Sequence, residues 1–224
     1  MLFQLLRGNF SREIIIQVLM SIPVILLAFS VHESAHAWVA YKLGDPTARN
    51  LGRITLNPLK HLDPIGTVSM LLFGVGYAKP VPIRARNFKN PKWGMCLSAA
   101  AGPLSNLILG FIGSMIFYLL SGWTWLFNTS EILFTVVCMF FYVMAVLNVS
   151  LAVFNLLPIP PFDGSRVLFV FLPSKYYFAV MKYERYIMMA VFLLIIGGAR
   201  FNIISKIVGW ILNGFFSFAG LIFG

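Results

Sequence analysis

The chain has 224 residues, 59% of them hydrophobic and 11% charged, with a mean hydropathy of +0.86. A soluble domain carries about 25% charged residues. The polar surface that water demands is therefore missing, which excludes a soluble enzyme, a disordered chain, a fibre and a small disulfide scaffold. The composition predicts an all-α membrane protein, a polytopic helical bundle folded as one domain over residues 1–224. Its core is expected over about 13–170, with additional C-terminal helices over about 185–223. The formal net charge is +10, from 17 Lys and Arg against 7 Asp and Glu. These charges sit between apolar runs, where topology and anionic lipid headgroups explain them better than nucleic acid does. Cys96 and Cys138 lie in or beside apolar segments and read as free buried thiols. No cleavable leader is evident, so the first apolar segment is expected to stay in the mature protein.

Five apolar segments are predicted in chain order. The first runs from Glu13 to Leu43, with Gly44 as its stop and Asp45-Pro46 behind it. The second covers Trp93 to Leu120. The third covers Glu131 to Leu157, beyond which Pro158, Pro160 and Pro161 forbid further helix. The fourth and fifth cover Tyr186 to Ala199 and Ile203 to Phe223. A span needs about 20 residues, so the fourth is short, and the last pair could form a tilted hairpin or lie partly at the interface, and could gate lateral entry of a substrate helix. Residues 44–92 break short apolar runs, Thr67 to Phe73 and Ala78 to Ile83, with Gly, Pro and Asn. Such lengths suit short strands or a β-like re-entrant hairpin on the cytoplasmic side.

The loop after the first span carries about nine basic residues, and that after the third about four more, Arg166, Lys175, Lys182 and Arg185. The opposite side carries only Arg7, Arg12, Arg200 and Lys206. Cationic loops stay in the cytoplasm, so both long loops are expected there and the N-terminus outside, in a multi-pass protein of the cell membrane.

The first span contains His32-Glu33-Ser34-Ala35-His36, the H-E-x-x-H pattern. Residues four apart share a helix face, so both imidazoles can grip one zinc ion with Glu33 beside it as general base. With three histidines and four glutamates in the chain, chance gives this pattern in fewer than about one chain in a thousand. Capping histidines and a snorkelling glutamate would be the plain reading, but ionisable groups inside a span are costly and mark function. With Glu13 near the outer face, His32 to His36 fall near the cytoplasmic boundary, where water can reach a hydrolytic site.

Catalytic zinc takes three protein ligands and keeps one open position. The third candidates are His61, Asp63, Asp45, Glu184 and Asp163. The third span returns to the cytoplasmic face, which brings Asp163 to the side of His32 and His36. A proline-broken helix end lets a carboxylate project into a protein-lined cavity. The competing reading of Asp163 is a turn aspartate before Gly164.

These two motifs, His32-Glu33-Ser34-Ala35-His36 and Asn155-Leu-Leu-Pro-Ile-Pro-Pro-Phe-Asp163-Gly164, resemble those of the site-2 protease family of intramembrane zinc metalloproteases. The family often has Leu where this chain has Phe162. Ala101-Gly102-Pro103-Leu104-Ser105-Asn106 and Gly76-Tyr77-Ala78-Lys79-Pro80-Val81-Pro82 are also similar to family segments, so the resemblance covers about residues 28–170. It implies one Zn2+ per chain on His32, His36 and Asp163, with Glu33 activating water. It also implies that Asn155 lies near the scissile peptide and binds substrate or the oxyanion, although a kink asparagine bonded to its own helix is an alternative. Asn106 reads as glue between helices, and Ser98, Gly102 and Asn106 as a close-packing face. His61 reads as a loop histidine near the site.

A protease must unwind a substrate helix and hold it extended, and residues 48–84 could supply the edge for that strand. The expected activity is cleavage of transmembrane segments in regulated proteolysis, with a membrane protein substrate, lipid and a regulatory membrane partner, and with no nucleic acid. A compact build of this kind suggests a prokaryotic cell. The alternatives are a membrane metal-ion binding or transport protein, for which polar residues should run through the full bilayer depth, and an inactive scaffold, against which the intact Glu33 argues.

Overall fold

The computed structural model describes residues 12–63, 66, 79–123, 128–196 and 202–224. The protein is an all-α membrane protein. Four of its described helices are long and apolar enough to cross a bilayer: Ile15–Lys42, Pro91–Ser121, Glu131–Asn155 and Asn202–Phe223.

Helix α1, Arg12–Lys42, ends where the sequence predicts. Gly44 takes φ +110° and turns the chain, and the amides of Leu43, Gly44 and Asp45 close on the carbonyls of Val39, Tyr41 and Ala40. A Cβ at Gly44 would lie 3.3 Å from the Asn87 carbonyl oxygen, so glycine serves both the turn and this close approach. The one-turn helix α2, Thr47–Asn50, follows. Helix α3, Pro91–Ser121, starts at Asn90, whose side chain accepts from the Trp93 amide, with Pro91 in the first turn. Helix α4, Glu131–Asn155, starts at Ser130, which caps the Leu133 amide, and stops three residues before Pro158. Short helices α5, Asp163–Phe169, and α6, Ser174–Met181, lead to α7, Glu184–Ile196, and α8, Asn202–Phe223.

Helices α1, α3 and α4 pack against one another and form the core. Small residues let their backbones approach. A Cβ at Gly113 would come within 2.9 Å of the Ala145 amide nitrogen, and one at Gly110 within 2.7 Å of Val149. Val24, Val143 and Met144 close the centre of the bundle. Helix α8 packs on α3 and α4 and meets α3 through rings, with Phe111 against Phe215 at 5.2 Å and Phe117 against Phe216 at 5.7 Å.

Two of the expected segments are described only in part. The fourth apolar segment is the 13-residue α7, roughly 20 Å long against a hydrocarbon core of about 30 Å. Among the described residues four helices are long enough to cross, and the remainder of this fourth apolar segment, 197–199, lies outside the described residues. The β-like segment shows no strand among the described residues. Its described parts are α2, the tight turns Pro58–Lys60 and Ala85–Asn87, and loop. One sheet-like bond, from the Lys79 amide to the His61 carbonyl at 2.7 Å, ties the two sides of this region. The run Thr67 to Phe73 lies outside the described residues.

Candidate metal centre

The H-E-x-x-H turn lies in the C-terminal half of α1, about 9 Å from its end if counted from His36 to Lys42 at 1.5 Å per residue. His32, Glu33 and His36 are all buried. The two rings stand edge to face, with centroids 4.6 Å apart. Asp163 reaches them from the first residue of α5. Its Oδ2 lies 3.1 Å from His32 Nε2 and 3.3 Å from His36 Nε2.

The local chain explains this approach. Proline stops α4 and the segment turns back, with the Phe162 amide bonded to the Ile159 carbonyl at 3.0 Å and the Phe162 ring edge-on to Phe154 at 4.9 Å. Gly164 then passes so close to the end of α4 that a Cβ would fall 2.1 Å from the Leu156 carbonyl oxygen. Ser165 ties its hydroxyl to the Phe162 carbonyl at 2.7 Å. Burial alone would push the Asp163 carboxyl up, but the His36 and His32 imidazoles outweigh it and hold the group well below the usual carboxylate range.

The donor set fits a divalent ion. Two imidazole nitrogens and a carboxylate oxygen lie within 4.8 Å of one another. A tetrahedral ion holding each at about 2.0–2.2 Å needs neighbouring ligand atoms roughly 3.3 Å apart. The two imidazole–carboxylate separations already meet that spacing. His36 Nδ1–H donates to the Ser98 carbonyl at 2.7 Å. A carbonyl only accepts, so that bond puts a hydrogen on Nδ1 and turns Nε2 towards Asp163. Gly102 clears the space beside the rings, since a Cβ there would fall 2.4 Å from His36 Nε2 and 2.6 Å from His32 Nε2.

The other candidates sit elsewhere. Asp45 is fully buried but serves as a hub for loops. It accepts from the Arg84 amide at 2.7 Å, the Asn87 side chain at 2.6 Å, and the Thr47 hydroxyl and amide at 2.5 and 3.1 Å. Asp63 accepts from the Gly66 amide, and Glu184 opens α7. His61 is fully buried, yet its Nε2–H donates to the Thr55 carbonyl at 2.8 Å, and that carbonyl also accepts from the Ser34 hydroxyl. The loop is thus fastened to the middle of the His-Glu turn. Asn155 donates from Nδ2 to the Leu151 carbonyl of its own helix at 2.9 Å.

Sequence reasoning gave Ser98 and Gly102 a packing role alone and passed over Ser34. A hydroxyl between two motif residues was the available signal for Ser34. The carbonyl of Ser98 leaves no trace in a sequence. An open apolar cleft of about 360 Å³ lies along α1 between Val31, Ala35 and Trp38 and the segment Ile54–Leu56.

Fold and cluster together define a multi-pass membrane protein with a three-donor centre, its two histidines buried, next to a buried glutamate. The family model for peptidase family M50 matches residues 120–198, which include Asp163. Three relatives bear the name "Putative zinc metalloprotease". YwhC of Bacillus subtilis (strain 168) is 46% identical over 144 residues, 64% of this chain and 65% of that protein. The chain therefore matches slightly less than two thirds of YwhC. Rip2 of Mycolicibacterium smegmatis is 28% identical over 202 residues, 88% of this chain and 72% of Rip2. MJ0611 of Methanocaldococcus jannaschii is 31% identical over 161 residues, 71% of this chain and 73% of MJ0611. No solved structure matches the chain. The chain belongs to peptidase family M50.

Proposed function

We propose that the protein is a zinc-dependent intramembrane endopeptidase that cuts transmembrane segments of other membrane proteins, and that residues 1–224 work as one protease domain. The observation that carries this reading is the convergence of His32 Nε2, His36 Nε2 and Asp163 Oδ2, from elements 131 residues apart in sequence, beside a buried Glu33. His32, His36 and Asp163 would hold one Zn2+. When bound, zinc supplies a Lewis acid that polarises a carbonyl and makes water acidic near neutral pH.

The chain's own groups do the rest. The Glu33 carboxylate accepts a proton from the attacking water. The water oxygen bonds to the scissile carbonyl carbon, the C–N bond breaks, and Glu33 returns the proton to the leaving nitrogen. The Ser98 carbonyl keeps the His36 ring turned towards the reacting centre. Asn155 sits at the end of α4, where its amide would bind substrate or the developing oxyanion after letting go of Leu151. The cleft beside Ile54–Leu56 suits an extended apolar stretch of substrate, a role that the His61 and Ser34 fastening of this loop supports.

The basic loops support an orientation with the centre near the cytoplasmic face of a prokaryotic cell membrane. Regulation through a membrane partner fits regulated proteolysis. The test is a pair of variants assayed in lipid on a transmembrane substrate. Glu33→Gln is expected to bind zinc as the unaltered protein does and to lose at least about 10²–10⁴-fold in cleavage rate. His36→Ala is expected to lose zinc and activity together. Unaltered cleavage by Glu33→Gln would overturn the reading.

A further inference from the structure

Four buried polar atoms of the three-helix core have no hydrogen-bond partner among the described residues: His32 Nδ1, both amide atoms of Asn106, and Asn148 Oδ1. Asn106 is 1% exposed and Asn148 fully buried, each inside a membrane-spanning helix. Asn148 spends one amide hydrogen on the Met144 carbonyl at 2.9 Å, so its oxygen is the free end.

The three helices that carry them pack against one another. Gly102 of α3 faces the His32 and His36 rings, and Gly110 of the same helix faces Ala145 and Val149 of α4. Asn106 lies one turn from each, between the direction of α1 and the direction of α4. A helical side chain leans towards the N-terminus of its helix, which for Asn106 is back towards Gly102 and the rings. Asn148 precedes Val149 on the buried face of α4. The contrast with His36 adds the second line of argument. His36 has its Nδ1–H fixed by the Ser98 carbonyl, whereas His32, its equal in the cluster, has no such acceptor among the described residues. A metal-ligating histidine normally donates its second ring N–H to an oxygen. Buried polar atoms of this number, walled by small residues, are the setting in which ordered water binds with two to four partners.

We propose that Asn106 and Asn148 hold a small cluster of ordered water in the bundle core, which accepts the Nδ1–H of His32 and makes both asparagines positioning residues for that ring. In this arrangement the water takes hydrogen bonds from His32 Nδ1–H and Asn106 Nδ2–H and donates to the Asn148 and Asn106 carbonyl oxygens. The Nε2 lone pair of His32 is thereby left for the metal. The inference rests on the zinc reading in its second line of argument and in its affinity arm, while the buried unpartnered atoms and the His32 resonances stand apart from it.

The test uses full-length protein in detergent with ¹⁵N-labelled histidine. In the unaltered protein His32 is expected to show a protonated Nδ1 that exchanges slowly. Asn106→Leu, which fills the space and removes both amide atoms, should shift the His32 ring nitrogens and leave those of His36 in place. It should weaken competitive zinc binding about 10–100-fold. Asn148→Leu should act in the same direction, and Asn106→Ser, which keeps a donor and an acceptor, should restore at least part of the affinity. Should Asn106→Leu fail to fold, the Asn148→Leu and Asn106→Ser spectra carry the same comparison. Unchanged His32 resonances and zinc affinity in the folded variants would overturn the proposal. An unaltered protein that binds no zinc would overturn the metal reading instead, while the His32 resonances of the metal-free chain still decide this one.

Discussion

Gly102 lies against His36 so closely that a single methyl group would fall 2.4 Å from its Nε2. Gly102→Ala is therefore expected to displace both rings and to lower zinc affinity by on the order of tenfold or more. Gly110→Ala, which meets Val149 at 2.7 Å in the same helix, serves as the comparison. It should cost about 1–3 kcal/mol of stability by overpacking while leaving zinc affinity intact. Competitive titration with a chromophoric chelator measures both. Equal zinc affinity in Gly102→Ala and the unaltered protein would mean that the site relaxes around the methyl group.

Asp163 joins the chain beyond α4 to α1 through the cluster. An ion held there should raise the melting temperature in detergent, by an amount equivalent to about 2.7 kcal/mol when free zinc is 100 times its dissociation constant. Chelation should reverse the rise. Asp163→Ala removes one of the three donors, so its melting curve should be nearly the same with and without zinc. A zinc-dependent shift of full size in Asp163→Ala would remove the carboxylate from the donor set.

Asp45 gives a pH dependence of known sign. Burial raises its carboxyl, but the Thr47 hydroxyl, the Arg84 amide, the Asn87 side chain and the Thr47 amide outweigh burial, and its pKa lies below the ordinary 3.8. The folded protein thus binds this proton less readily than the unfolded chain. The stabilisation is complete above the unfolded value of about 3.9 and is lost as pH falls through the lower folded value. Asp45→Asn sets an amide donor against the Arg84 N–H or the Thr47 and Asn87 donors, and should cost about 1–3 kcal/mol near neutral pH. The gap between the two proteins in chemical unfolding should narrow below about pH 4. A gap of constant size down to pH 2 would show that the charge plays no part.

Gly164 faces backbone on the side where a Cβ would point, with the Leu156 carbonyl oxygen at 2.1 Å and that of Leu157 at 2.6 Å. Backbone cannot step aside as the tip of a side chain can. Gly164→Ala is expected to push α5 away from the end of α4 and to move Asp163 with it, so that zinc affinity and stability fall together. Gly209→Ala, at a position where a Cβ meets nothing within 4 Å, should change neither. Zinc titration and thermal melting of the two variants give the comparison.

Much of this was legible in the sequence because local chemistry dictated it. Gly44 ends α1 through its positive φ, and the prolines after Asn155 end α4. His32 and His36 share a face because they stand four residues apart in a helix. Topology favoured Asp163 among five acids and histidines, the family resemblance singled it out, and among the described residues it is the one that lies with the two rings. Less was readable where the partner is a backbone atom or lies far along the chain. Nothing near Asp45 marks it as the hub for Arg84 and Asn87 about 40 residues later. Gly102 announced close packing but not what it packs against.

The donors on α1 and the donor on α5 stand on opposite sides of two entire membrane crossings. A nascent chain that has issued from the ribosome only as far as α3 carries the His-Glu turn without its carboxylate. The centre can close only after α4 has been threaded and Pro158 to Phe162 have turned back. On the proposed reading, a truncated or stalled translation product would therefore lack one of the three donors.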